Sequence, residues 1–192
     1  MSNTITNILL VGVGGQGILL ASEILSETFM LAGFDVKKSE IHGMSQRGGS
    51  VVSHVRYGKR VFSPIVPEGE GDILFGFELL ETCRYLPLLK KGGKVIANDL
   101  CIPPPAVLSG KEEYPQGLAE RIQELFPDFL LVDGLKLATE AGNPRAANTV
   151  LLGAVSKRLD IPEEYWIRAI EKLVPAKAFA VNRQAFLAGR KL

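Results

Sequence analysis

Ile8-Leu-Leu-Val-Gly-Val-Gly-Gly-Gln-Gly-Ile18 is the stretch on which the fold turns. Its first four residues are a short continuous apolar run stopped by glycines, the pattern of a strand buried on both faces in a parallel sheet. From Ile18 to Ala32 the apolar residues recur at helical spacing. Ile18, Ala21, Leu25, Phe29 and Ala32 line one side, Leu20, Ile24 and Leu31 widen the arc, and Gly33 ends the run. So broad an apolar surface predicts a helix covered by the sheet and by a partner.

Outward from this stretch, strands and helices alternate. Phe34–Lys38 reads as a second strand, and Ser50–Tyr57 with Val61–Ile65 reads as a hairpin around Gly58-Lys59. Asp72–Phe77 is a buried strand leading into a helix over Glu78–Leu89. Lys91-Gly92-Gly93 closes that helix, and Lys94–Asn98 is the next strand. Cys101–Gln116 is Pro-rich and aperiodic. Gly117–Phe126 then reads as helix, Phe129–Val132 as strand, and Leu135–Ala141, Pro144–Leu159 and Pro162–Leu173 as helices. The expectation is an α/β fold across residues 1–192 as one domain. It has three α/β/α layers, a mainly parallel Rossmann-like sheet, a β-hairpin insertion and a helical C-terminal part.

Composition narrows the function. Of 192 residues 46% are hydrophobic and 22% charged, which leaves a sizeable core, and a formal net charge of +1 gives no general attraction to nucleic acid or an anionic membrane. No apolar run is long enough for a membrane span, and the start lacks the cationic, greasy pattern of a signal peptide. Two cysteines, Cys83 and Cys101, lie far apart, so this chain alone holds neither an iron–sulfur cluster nor a four-cysteine zinc site. With two histidines and no H-E-x-x-H, no metal site is expected, and a reduced cytoplasmic setting is the default.

Two segments carry chemistry. Gly12-Val-Gly-Gly-Gln-Gly17 satisfies G-x-G-x-x-G between a strand and a helix, where glycines allow a tight turn and helix-start amides favour an anion. The bland alternative is a turn whose glycines only allow close packing. Dinucleotide binding also asks for an acidic residue at the end of the second strand. Asp35-Val-Lys-Lys-Ser-Glu40 places lysines where the acid is most useful, and the hairpin breaks βαβ alternation.

The second segment is His42-Gly-Met-Ser-Gln-Arg-Gly-Gly49. In a doubly wound sheet the loops after the first and second strands leave the same edge, so Gly14–Gly17 and His42–Gly49 are expected to face each other across one crevice. Arg47 supplies a fork of donors and Gly48-Gly49 permits bare amides beside it, the parts used to recognise carboxylate or phosphate. Alternatively Arg47 pairs with a local carboxylate such as Glu40 and the glycines make a bend, or Arg47 anchors a protein contact. His42 reads as structural or as a hydrogen-bond donor, and His54 as a packed or surface histidine. There is no G-x-S-x-G elbow, no Walker loop and no nucleophile–base pair, so no catalytic residue is assigned. The candidate binding residues are Gly12, Gly14, Gly15, Gln16, Gly17, Ser45, Gln46, Arg47, Gly48 and Gly49.

Taken together, Gly12-Val-Gly-Gly-Gln-Gly-Ile18, His42-Gly-Met-Ser-Gln-Arg-Gly-Gly-Ser50 and Asn148-Thr-Val-Leu-Leu-Gly153 resemble the gamma-type domain of 2-oxoacid:ferredoxin oxidoreductases, over nearly the whole chain. Within that family, His42–Arg56 with Ser63-Pro64 soon after is most similar to the small subunits acting on indolepyruvate. Those acting on pyruvate, 2-oxoglutarate or branched-chain oxoacids are the near alternatives.

The resemblance implies a multisubunit enzyme in which a large subunit carries thiamine diphosphate and iron–sulfur clusters. An oxoacid is decarboxylated, the acyl group goes to coenzyme A, and electrons go to ferredoxin. The present chain is then an accessory subunit, inactive alone and prone to self-association when unpaired. Its two glycine segments are expected to offer an anionic site, for the phosphates of coenzyme A or the cofactor's diphosphate. A free-standing dinucleotide-binding protein and a scaffold whose loops bind nothing are the competing classes.

Overall fold

A computed structural model describes residues 4–42 and 48–192. Among the described residues six strands form one sheet: β1 (Thr6–Val13), β2 (Asp35–His42), β3 (Ser50–Gly58), β4 (Gly71–Gly76), β5 (Leu89–Asn98) and β6 (Leu130–Val132), in the order β2-β3-β1-β4-β5-β6. Pairings from β1 through β4 and β5 to β6 are parallel, whereas β3 runs antiparallel to both β1 and β2. The sheet is therefore mainly parallel, with an antiparallel strand inserted between the first two in sequence.

Alternation along β1 explains the layering. Ile8 and Leu10 enter one apolar cluster and Leu9 and Val11 enter the other, all four with no exposed surface. On the first face lie the helices α1 (Ile18–Leu31), α5 (Gly134–Glu140), α6 (Ala147–Ser156), α7 (Glu163–Leu173) and α8 (Phe179–Arg190). On the second lie α2 (Leu79–Tyr85) and α4 (Leu118–Leu125), while α3 (Pro105–Leu108) is a single turn in the long loop after β5. Trp166 of α7 is the largest fully buried side chain, edge-on to Phe29 and stacked on Phe186. No helix of the described residues is long and apolar enough to cross a membrane.

Two expectations need correction. The hairpin around Gly58-Lys59 does not form, because Val61–Ile65 is not a strand. β3 already spends one backbone edge on β1 and the other on β2 along its whole length, so no edge remains for a further partner. The segment is instead held by side chains. Asp35 accepts from the Val61 amide at 2.8 Å, the Arg56 guanidinium donates to the Ser63 and Ile65 carbonyls at 2.9 Å each, and His54 Nδ1 accepts from the Val66 amide at 3.0 Å. The actual hairpin pairs β2 with β3, and its connection is the glycine-rich polar segment.

The helix expected over Glu78–Leu89 is also shorter. It ends at Tyr85, one 3₁₀ turn follows over Leu86–Leu88 with Pro87 inside it, and β5 begins at Leu89, ahead of the glycines. Leu89 pairs with Gly71, but the next pair is Ile73 with Lys94, so Lys90–Gly93 bulges out of the ladder.

Candidate functional site

The two glycine segments meet. Parallel β1 and β2 end on the same edge of the sheet with β3 between them, and Val13 stands opposite Ser50 in the β1–β3 ladder. Beyond that pair, the Gly14 amide donates to the Gly49 carbonyl at 2.8 Å and the Gly48 amide to the Gly14 carbonyl at 3.4 Å. The candidate residues on either side of this junction divide by what they touch.

Gly12 and Gln16 face inward. A Cβ on Gly12 would lie 2.6 Å from Gln16 Oε1 and 2.8 Å from Phe77 Cβ, so a side chain there has no room. Gln16 Oε1 accepts from the Val13 amide at 2.6 Å and its Nε2 donates to the Phe77 carbonyl at 2.9 Å. Its amide is thus a staple between the turn and the end of β4. Asn148, at the start of α6, donates from Nδ2 to the Gln16 carbonyl, and a Cβ on Gly17 would strike that nitrogen. The turn is therefore held from inside by Gln16 and Asn148.

Gly15 and Gly48 face outward. Their φ angles of +100° and +81° lie in the left-handed region, and among the described residues a Cβ on either would meet nothing within 4 Å. Ser45, Gln46 and Arg47 lie outside the described residues, as does the His42 side chain.

Beside the junction is a cavity of about 480 Å³ lined by Gly14, Gly15, Gly17, Ile18, Leu19, Leu20 and Val51. Its floor is the first turn of α1, where the amides of Ile18, Leu19 and Leu20 precede the first intrahelical bond, from Ala21 to the Gly17 carbonyl, and which carries no acidic residue. Its wall is apolar: Leu19 and Leu20 are 44% and 40% exposed although they sit in the first helical turn. Backbone donors beside an apolar wall suit a ligand that combines an anionic group with an apolar body.

The dinucleotide arrangement is not reproduced. The strand beside β1 on that side is antiparallel β3, and β2, whose end would carry a ribose-binding acid, lies one strand further out. Glu40 on β2 instead accepts from Ser22 Oγ and Lys38 Nζ, each at 3.2 Å. His54 is buried on the opposite face from α1. Burial, reinforced by the Arg56 charge, pushes its pKa down, so the neutral ring accepts from Val66. Among the described residues no group of three or more His, Cys, Asp and Glu side chains converges as metal ligands would.

Sequence reasoning missed the polar cluster on α2. Glu78 and Glu81 are 1% and 6% exposed, and between them they bind Ser50, Arg84, Ile102 and Tyr114. One signal was available: Glu78 is a carboxylate directly at the C-terminal end of a buried parallel strand, the edge where sites assemble in open α/β sheets.

A family model for pyruvate ferredoxin/flavodoxin oxidoreductase matches residues 7–192. Indolepyruvate oxidoreductase subunit IorB of Thermococcus kodakarensis is 44% identical over 190 residues, covering 96% of this chain and 94% of that protein. The pyruvate/ketoisovalerate oxidoreductases common subunit gamma of Thermococcus litoralis is 28% identical over 165 residues, covering 85% and 81%. Among solved structures, the keto/oxoacid ferredoxin oxidoreductase gamma subunit of Geobacter sulfurreducens superposes with a TM-score of 0.69 at 25% identity, over 97% of this chain and 96% of that one. A match over nearly the whole chain, together with a common fold, means that this chain belongs to the pyruvate ferredoxin/flavodoxin oxidoreductase family.

Proposed function

We propose that this chain is the small accessory subunit of a 2-oxoacid:ferredoxin oxidoreductase that converts indolepyruvate and other arylpyruvates to arylacetyl-CoA. The observation that carries the substrate class is the 44% identity to an indolepyruvate oxidoreductase subunit, against 28% to a pyruvate/ketoisovalerate one. Thiamine diphosphate and iron–sulfur clusters on a large partner subunit would supply decarboxylation and electron transfer to ferredoxin. This chain, acting as one unit over residues 1–192 in the cytoplasm, closes the assembly.

Its own contribution is an anionic site. Gly14, Gly15 and Gly17 and the first residues of α1 line the cavity beside Gly48 and Gly49, and Ser45, Gln46 and Arg47 belong to the same loop in sequence. Gln16 and Gly12 serve by holding the turn in shape. Phosphates bind at the amides and Arg47, while the apolar remainder of the ligand packs on Leu19 and Leu20. Coenzyme A and the diphosphate of the cofactor share this chemistry.

The test is reconstitution with the large subunit from the same cells, followed by titration with coenzyme A and, separately, thiamine diphosphate. Arg47→Ala should weaken one of the two by about tenfold or more, the worth of a charge-assisted hydrogen bond. Unchanged affinity for both, with unchanged turnover in an intact complex, refutes the anionic site. Turnover of pyruvate in preference to indolepyruvate refutes the substrate class. Leu19, Leu20 and Met30 leave apolar surface exposed along α1, so the unpaired chain should also self-associate in light scattering as concentration rises.

A further inference from the structure

Gly48 and Gly49 have no side chains to hold them, and Gly48 takes a left-handed φ of +81°. Consecutive glycines lose the most backbone entropy on ordering. Their contact with Gly14 rests on one bond of 2.8 Å and one of 3.4 Å, the second at the long limit. Something beyond this pair must fix where they sit.

The next residue supplies it. Ser50 Oγ donates to Glu81 Oε2 at 2.5 Å and lies 3.2 Å from the Tyr85 hydroxyl, both on α2. Glu81 is 6% exposed, and its other oxygen accepts from Arg84 Nε at 3.2 Å. A carboxylate this buried requires donors, and a hydroxyl bonded to an ionised acceptor is held more firmly than one bonded to a neutral group. α2 itself does not float. Glu78, at its N-terminal cap, accepts from the Glu81 amide at 2.8 Å, the Ile102 amide at 3.1 Å and the Tyr114 hydroxyl at 2.5 Å. The chain of contacts thus runs from the loop after β5, through both glutamates, to the root of the glycine pair.

β3 does not need this hydroxyl to form. It makes eight ladder pairs with β1 and eight with β2, and Ser50 is already registered opposite Val13. What the hydroxyl adds is a fixed direction for the backbone leaving the strand. We propose that Glu81, acting through Ser50, is a positioning residue that sets Gly48 and Gly49 against Gly14 and so shapes the rim of the cavity for its anionic ligand. The ligand half of this statement rests on the function proposed above; the loop half does not.

Two measurements separate the halves. In the full chain, amide hydrogen exchange at Gly14 and Gly48 reads the junction directly. Ser50→Ala should speed it about tenfold, and Ser50→Thr, which keeps the hydroxyl, should restore it. In the reconstituted complex, Ser50→Ala and Glu81→Ala should raise KM about tenfold for whichever of coenzyme A and thiamine diphosphate Arg47→Ala weakens, while kcat stays within about twofold, and Ser50→Thr should again restore it. Should Glu81→Ala fail to fold, Ser50→Ala carries the test, since it removes only an oxygen. Unchanged exchange at Gly14 in Ser50→Ala overturns the positioning role. So does an unmoved KM in Ser50→Ala when Arg47→Ala raises it. If neither variant moves KM for coenzyme A or the affinity for thiamine diphosphate while exchange is faster, the anionic-ligand reading has failed, and the ligand half of the inference falls with it.

Discussion

Glycine is used in two opposed ways in this molecule, at the cavity rim and at the crossing of α6 with α8. At the rim, Gly15 and Gly48 need glycine for their backbone angles, and no other described residue occupies the place where a side chain would stand. At the crossing the backbone angles are ordinary for a helix, but space is gone. A Cβ on Gly153 would drive into the Phe186 carbonyl, and one on Gly189 into the Val150 carbonyl. The first use keeps a surface bare for something to approach. The second lets two helices of this chain approach each other. A glycine motif therefore says that close approach is needed, and only its surroundings say by what.

The largest expected effect breaks the crossing. Trp166→Ala, which removes the ring stacked on Phe186 of α8, should cost about 3–5 kcal/mol in urea unfolding. Trp166→Phe should cost clearly less, because Nε1 has no hydrogen-bond partner among the described residues and its loss orphans nothing there. Gly153→Ala and Gly189→Ala follow, at about 1–3 kcal/mol or somewhat more, since the opposing atoms are backbone and cannot rotate away. A midpoint within error of the parent for either would show that the helices slide apart freely, and the contrast drawn above would fail.

At the rim the order of effects reverses. Gly15→Ala should cost only about 1–2 kcal/mol in stability, the strain of a left-handed angle without a clash. Its effect on whichever of coenzyme A and thiamine diphosphate the reconstituted complex binds through Arg47 should exceed that of either crossing variant. Equal loss of binding at the rim and the crossing would erase the distinction.

The smallest effect is expected away from both glycine regions, where side chains hold the 61–67 segment. The folded-state pKa of His54 lies below its ordinary 6.5 because of burial, so the unfolded chain binds a proton that the folded chain refuses. The stability it contributes is complete above pH 6.5 and drains away as pH falls through the lowered folded value. His54→Gln should flatten the urea midpoint against pH in that window. An unaltered pH profile would show that the Val66 amide does not depend on the neutral ring.

Much of the fold was legible because its signals are local. The buried run at Ile8–Val11, the broad helix from Ile18 and the helices α5 and α7 follow from apolar spacing and lie within two residues of their predicted places, whereas α6 stops three residues short of Leu159 and α8 is not among the predicted helices. The errors came where hydrogen-bond partners are chosen between distant segments. Val61–Ile65 has the composition of a strand, yet whether it pairs depends on β1 and β2 having already taken both edges of β3. Lys91-Gly92-Gly93 resembles a helix stop, yet it is a bulge within β5 because Leu89 pairs with Gly71.

The site divides along the same line. That Gly12–Gly17 forms a turn, and that it shares an edge with the segment ending at Gly49, follows from residue type and strand order, since both are set by short-range sterics and sheet direction. Which of those residues face outward does not follow. Gln16 has the look of a ligand contact in the sequence, and only its bonds to Val13 and Phe77 reveal a staple. Nothing near Ser50 in the chain announces Glu81, 31 residues on. Local chain geometry is written in neighbouring residues, whereas the direction of a side chain and the partner of a buried carboxylate are settled by packing across the whole sheet.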